Sequence, residues 1–113
     1  MAEAVTVPAD QNRATIPAQT SIGTVGVLLS PPKPGRVLFR IENTGLTVLY
    51  VNFSATVPTS SVYHVSLAGG GSANGGAGGV FSVDGWAGPV TGLSSASGGT
   101  AVITEFLAPA AWG

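Results

Sequence analysis

Charge is what this sequence has least of. Nine of its 113 side chains are Asp, Glu, Lys or Arg, 8% of the chain against roughly 25% in an average soluble domain. Four scattered cations neutralise few phosphates, which argues against electrostatic nucleic-acid binding. There is no cysteine, so neither a disulfide framework nor a thiolate metal site can exist. One histidine and five carboxylates show no ligand spacing, and neither a metal nor another cofactor is expected. Long apolar runs are also missing. The continuous stretches are a few residues, far below the ~20 that span a bilayer, so no membrane association is expected. The opening Met1–Val5 has no basic region followed by an apolar stretch, and no secretory signal is expected. No window of roughly 10–12 residues combines a 3.6-residue apolar stripe with freedom from Gly and Pro, so almost no helix is expected.

What is present is strand and turn chemistry. Apolar residues make up 44% of the chain and 17 residues are glycine; this apolar content contradicts disorder, and the length fits one domain with a single core. Residues 1–20 carry a weak hydrophobic pattern and read as an N-terminal arm, with a short strand at Ala4–Val7. Residues 21–106 read as the domain, and residues 107–113 as a short apolar tail that Pro109 keeps out of a strand interior. Within the domain, strands are expected at Ile22–Leu29, Arg36–Asn43, Leu46–Phe53, Val62–Leu67, Gly79–Asp84, Pro89–Ser95 and Thr100–Phe106. In the second of these, Val37, Phe39 and Ile41 point one way and Arg36, Leu38, Arg40 and Glu42 the other. Val37–Phe53, around Asn43-Thr44-Gly45, reads as a hairpin, and so do the last two strands around Ala96-Ser97-Gly98-Gly99. Seven to eight short strands with turns every ~8–12 residues imply an all-β domain, a compact β-sandwich or jelly-roll-like fold.

The residues that could carry chemistry do not converge. His64 lies on the face of its strand opposite Tyr63 and Val65. Asp84, beside Gly85, reads as a turn former. Glu105 alternates away from Val102, Thr104 and Phe106. No nucleophile-elbow motif occurs. No catalytic residue is assigned, and the protein is not expected to be an enzyme. Gly69–Gly79, seven glycines in eleven residues, reads as a flexible loop; it lacks the Lys-Ser/Thr ending of a phosphate-binding loop. Trp86, between glycines, and Trp112, next to the last residue, have the character of interface anchors. With Val5, Val7 and Ile16 of the arm they are the candidate interface residues. Few charges leave a surface with little to keep copies apart, which fits a chain covered by sister subunits or a lattice.

The stretch Arg36-Val-Leu-Phe-Arg-Ile-Glu-Asn-Thr-Gly45, followed by Leu46–Phe53, resembles an opening found in small bacteriophage virion proteins, in which an Arg-x-x-x-x-Ile-x-Asn-x-Gly strand and turn precede a Val-Tyr-Val strand. Tyr63–Leu67, Gly88–Leu93 and Gly99–Glu105 are similar to the rest of that pattern, so the resemblance covers residues 36–106. The family is that of capsid decoration (cement) and head-fibre-like virion proteins. The resemblance implies a structural protein on the outside of a phage head, made in the host cytoplasm, forming homotrimers and binding the major capsid protein across subunit boundaries. The Gly69–Gly79 insertion and the 107–113 tail depart from the pattern. A host- or carbohydrate-binding module of a head fibre or tail, built from the glycine-rich loop with Trp86 and Tyr63, is the alternative.

Overall fold

Arg36–Asn43 forms a strand over the full span that its alternation predicts, and this strand organises one half of the molecule. The structure is a computed structural model, and it describes residues 13–70 and 78–108. Nine strands are found among the described residues: β1 (Arg13–Ala14), β2 (Ala18–Ile22), β3 (Val27–Ser30), β4 (Arg36–Asn43), β5 (Leu49–Asn52), β6 (Val65–Leu67), β7 (Val80–Asp84), β8 (Val90–Ser94) and β9 (Gly99–Leu107). These residues contain no helix.

The strands form two antiparallel sheets. Sheet A has the order β1-β9-β4-β7, with β2 continuing β1 along the same edge of β9. Sheet B has the order β3-β8-β5-β6. With β1 and β2 taken as one interrupted edge strand, two four-stranded sheets face each other. Every connection crosses between them except β1–β2 and β5–β6. This is the double Greek-key connectivity of a jelly roll, the all-β sandwich that the turn spacing implied.

Both expected hairpins are corrected by this topology. β4 lies in sheet A and β5 in sheet B; β8 lies in sheet B and β9 in sheet A. Strand and turn positions are right, but the pairings are not. A two-residue turn would force neighbouring strands to pair. Residues 44–48 and 95–98 are longer, and can step the ~10 Å between packed sheets instead. The expected strand Ile22–Leu29 is divided, because Gly23–Gly26 carry the chain from β2 to β3. Residues 13–20, read as part of an arm, belong to sheet A from Arg13 onward. Their apolar signal is weak because an edge strand with Ala18 and Thr20 on its inner side buries little.

The core lies between the sheets. Phe39 and Ile41 of β4, Ala101 and Ile103 of β9, and Ile22 of β2 meet Leu49 and Val51 of β5, Leu67 of β6 and Val90 of β8. At one end Phe53 gathers Phe39, Phe81 and Trp86 at ring separations of 6.2, 5.7 and 6.4 Å. At the other end the buried Asn43 holds three segments together. Its Nδ2 donates to the carbonyls of Thr47 (2.7 Å) and Leu67 (3.0 Å), and its Oδ1 accepts from Gly45 N. Gly78 is packed so closely there that a Cβ would stand 2.1 Å from the Asn43 carbonyl oxygen.

Two slips of register decide which polar residues enter the core. The β3–β8 pairing shifts between Leu28 and Ser30, and the β4–β9 pairing shifts between Arg36 and Leu38. One extra residue in a strand turns the residues beyond it onto the other face. Leu29 and Ser30 therefore both face inward, Leu29 over Gly92 and Ser30 fully buried. Arg36, expected to point outward with Leu38, is turned inward beside Phe39. Its guanidinium carbon lies 5.6 Å from the Phe39 ring centroid.

Candidate functional site

Among the described residues, the charged ones lie on one sheet and the turn that enters it. Glu3 and Asp10 lie outside the described residues. Arg13 is on β1, Arg36, Arg40 and Glu42 on β4, Asp84 on β7 and Glu105 on β9, all in sheet A; Lys33 is in the turn that leads into it. Sheet B has no Asp, Glu, Lys or Arg in any strand, and neither do Thr44–Gly70 or Gly85–Thr104. On the outer side of sheet A, Arg40 and Glu42 pair at 3.5 Å.

The outer face of sheet B carries apolar and hydroxyl side chains instead. Leu28 is 58% exposed on β3. Val57 packs over Gly26, where a Cβ would meet its side chain at 2.4 Å. Tyr63 lies against Tyr50 of β5 with centroids 4.9 Å apart and remains 40% exposed. Val57 and Val62 are exposed as well. The segment 53–64 is tied down on this sheet by polar contacts. Asn52 Nδ2 donates to the Thr56 carbonyl and Asn52 Oδ1 accepts from His64 N at 2.9 Å. Thr91 Oγ1 lies 3.1 Å from the carbonyls of both Ser54 and Thr56. His64 is exposed, its Nδ1 accepts the Phe53 N–H at 3.0 Å, and its ring stacks on Phe53. The histidine thus orders a loop. This face can adhere, and it presents no convergent acid, base and nucleophile. No group of three or more His, Asp or Glu stands close enough to hold a metal ion among the described residues.

A buried ionic cluster locks the end of the sandwich at which Arg36 sits. Glu105 Oε2 accepts from Ser30 Oγ (2.5 Å) and Arg36 Nε (3.0 Å), and Oε1 accepts from Lys33 Nζ. The Arg36 side chain is fully buried. Its remaining donors reach the carbonyls of Trp86 (2.8 Å), Gly88 (2.9 Å) and Pro31 (2.9 Å) and Ser30 Oγ (2.8 Å). One guanidinium thus joins β3, β4, the 85–89 turn and β9 with every donor used, the condition under which burying charge is tolerated. Burial by itself would raise the Glu105 carboxyl. Hydrogen bonds from Lys33 and Ser30 and the charges of Lys33 and Arg36 outweigh it, and hold the carboxyl below its ordinary value.

The sign of the acid response is set by that depression. Glu105 contributes stability that is complete above the unfolded value of about 4.3 and is lost as pH falls through the folded value. The melting temperature is therefore expected to drop as pH falls below the unfolded carboxyl value of about 4.3, and Glu105→Gln to flatten that drop. Equal acid slopes for the two proteins, followed by calorimetry, would contradict the role given to Glu105.

Beside the cluster, the edge of the sandwich between β2 and β3 opens into a cavity of about 380 Å³. Its lining includes Ile16, Ala18, Leu29 and Ile103 together with Thr15, Lys33 and Glu105.

The expected interface residues are dispersed. Ile16 is 88% exposed beside this cavity. Trp86 is half-buried on Phe53, and its Nε1 donates to the Pro89 carbonyl at 3.0 Å. Val5, Val7 and Trp112 lie outside the described residues. The glycine-rich stretch leaves β6 at the end where Asn43 meets Gly79, while Trp86 follows β7 at the end where Arg36 lies. The described ends of that stretch, Gly69–Gly70 and Gly78–Gly79, thus lie at the end of the sandwich away from Trp86, and residues 71–77 lie outside the described residues. Sequence reasoning misses the ionic cluster. Its one legible signal is Glu105, whose alternation places it on the inner face with Ala101 and Ile103. Comparison with family models, curated proteins and solved structures gave no match.

Proposed function

We propose that this chain is a non-enzymatic virion structural protein, a decoration or cement protein that binds the outside of a phage head and braces contacts between major capsid subunits. One observation carries the reading: a jelly roll whose charges, among the described residues, are confined to one sheet and its entry turn, leaving the opposite sheet uncharged with Leu28, Val57, Val62 and Tyr63 exposed. A neutral face gains from contact by burying apolar area, about 25 cal/mol per Å² before ordering costs, and loses no ionic hydration in doing so. Repeated over many symmetric copies, a modest gain per copy becomes a large one per particle. The resemblance of residues 36–106 to virion surface proteins supports the same reading, and a homotrimer is the assembly it implies.

The test is to incubate undecorated heads with the purified protein. Saturable occupancy is expected, with a rise in the temperature at which the heads release DNA. Heads that neither retain the protein nor gain heat resistance would remove the cement reading.

A further inference from the structure

The cavity at the β2–β3 edge belongs to no part of the proposed adhesive face, and its lining joins aliphatic side chains to an ion pair. Its aliphatic lining is Leu29, Ile103, Ala18 and the largely exposed Ile16, set among the polar Thr15, Gln19, Thr20 and Ser30. Lys33 and Glu105 also line it; with Arg36 bonded to the same carboxylate, two cations meet one carboxylate, leaving one unit of positive charge. Arg36 has spent its donors on groups within the fold. Lys33 has not: its ammonium gives one hydrogen bond to Glu105 and is 34% exposed, lining the cavity. An ammonium carries three donors, so two remain without a partner among the described residues. Thr15 adds a hydroxyl. Its Oγ1 accepts the Glu105 N–H at 3.1 Å, leaving its own O–H free to donate.

From this geometry we infer that the cavity is a binding site for a small monoanion with a short aliphatic body, a medium-chain carboxylate being the simplest form. The volume lies within the range of small-ligand pockets. Leu29, Ile103 and Ala18 offer the chain apolar contact, and Lys33 and Thr15 donate to the carboxylate. Glu105 sets the charge: a single negative group is neutralised, a second would stand against the Glu105 carboxylate, and a cation would meet Lys33. The small side chains of Ala18 and Thr20 on the inner side of β2 leave the room. The site is independent of the uncharged outer face, so its failure would leave the capsid reading untouched.

The test uses the full chain, labelled with nitrogen-15, titrated separately with hexanoate, hexan-1-ol and hexylammonium. Hexanoate is expected to move the amide signals of Thr15, Leu29, Lys33 and Ile103 in a saturable way, and hexylammonium to leave them in place. Lys33→Met is expected to weaken hexanoate roughly tenfold while leaving the weaker response to hexan-1-ol unchanged. Ala18→Leu, which fills the groove, is expected to abolish the hexanoate response in a protein that still melts cooperatively; Thr20→Leu serves if that variant does not fold. The inference is overturned if hexanoate moves none of these signals by roughly 10 mM, an affinity too weak for a site. It is equally overturned if hexylammonium moves them as much, or if a folded groove-filling variant still binds.

Discussion

Arg36→Met is expected to destabilise the protein by about 3–5 kcal/mol, the largest loss foreseen for any single charged position. The guanidinium is wholly buried and ties its own strand to three other segments. Removing it leaves Glu105 ionised with only the half-exposed Lys33 and Ser30 beside it, and it strips a donor from the carbonyls of Pro31, Trp86 and Gly88. Each group left without a partner in the interior adds its own desolvation cost. In a domain of this size one kcal/mol shifts the melting temperature by about 4–8 °C, so the loss is readable by calorimetry. Lys33→Met should cost far less, because its ammonium is partly in water and screened. The double variant Arg36→Met/Glu105→Leu should recover much of the loss, since it removes the stranded carboxylate with its partner. An Arg36→Met protein within about 1 kcal/mol of the parent would show that the cluster is incidental to the fold.

The second large effect concerns binding. Leu28→Lys places an ammonium on the uncharged face, on its edge strand β3, at a position exposed enough that the fold should change by no more than about 0.5 kcal/mol. If that face lies against a capsid, the lysine is buried without a partner at several kcal/mol per copy. Occupancy of undecorated heads should fall by about a hundredfold or more. Ser82→Lys is the matched control. Ser82 is exposed on β7, opposite Arg40 on the charged sheet, and its replacement should leave occupancy unchanged. The reverse pattern, with Ser82→Lys harmful and Leu28→Lys harmless, would assign docking to sheet A.

Much of this architecture is legible in the residues, and what is not has definite causes. β4 can be bounded to the residue because its alternation is flanked by Pro34-Gly35 and Asn43-Thr44-Gly45. Gly85 and Gly98 stand at positive φ where the sequence predicts turns, and no helix occurs in the described residues. Pairing is not legible, because 44–48 and 95–98 are long enough either to return or to cross. The inward turn of Arg36 is hidden for another reason. Simple alternation places it with Leu38, and only the slip of register against β9, a property of two strands together, reverses it. Ser30 is hidden in the same way by the slip against β8. The low charge is obvious from composition, but its confinement to one sheet depends on topology.

The central claim is that the uncharged outer face of sheet B is the surface this protein uses. Hydroxyl-radical footprinting of the protein alone and on capsids addresses it directly. The account predicts that Leu28, Val57, Val62 and Tyr63 lose reactivity on binding, while Val80, equally exposed on sheet A, keeps its own. Protection of Val80 with Leu28 and Tyr63 still reactive would contradict it.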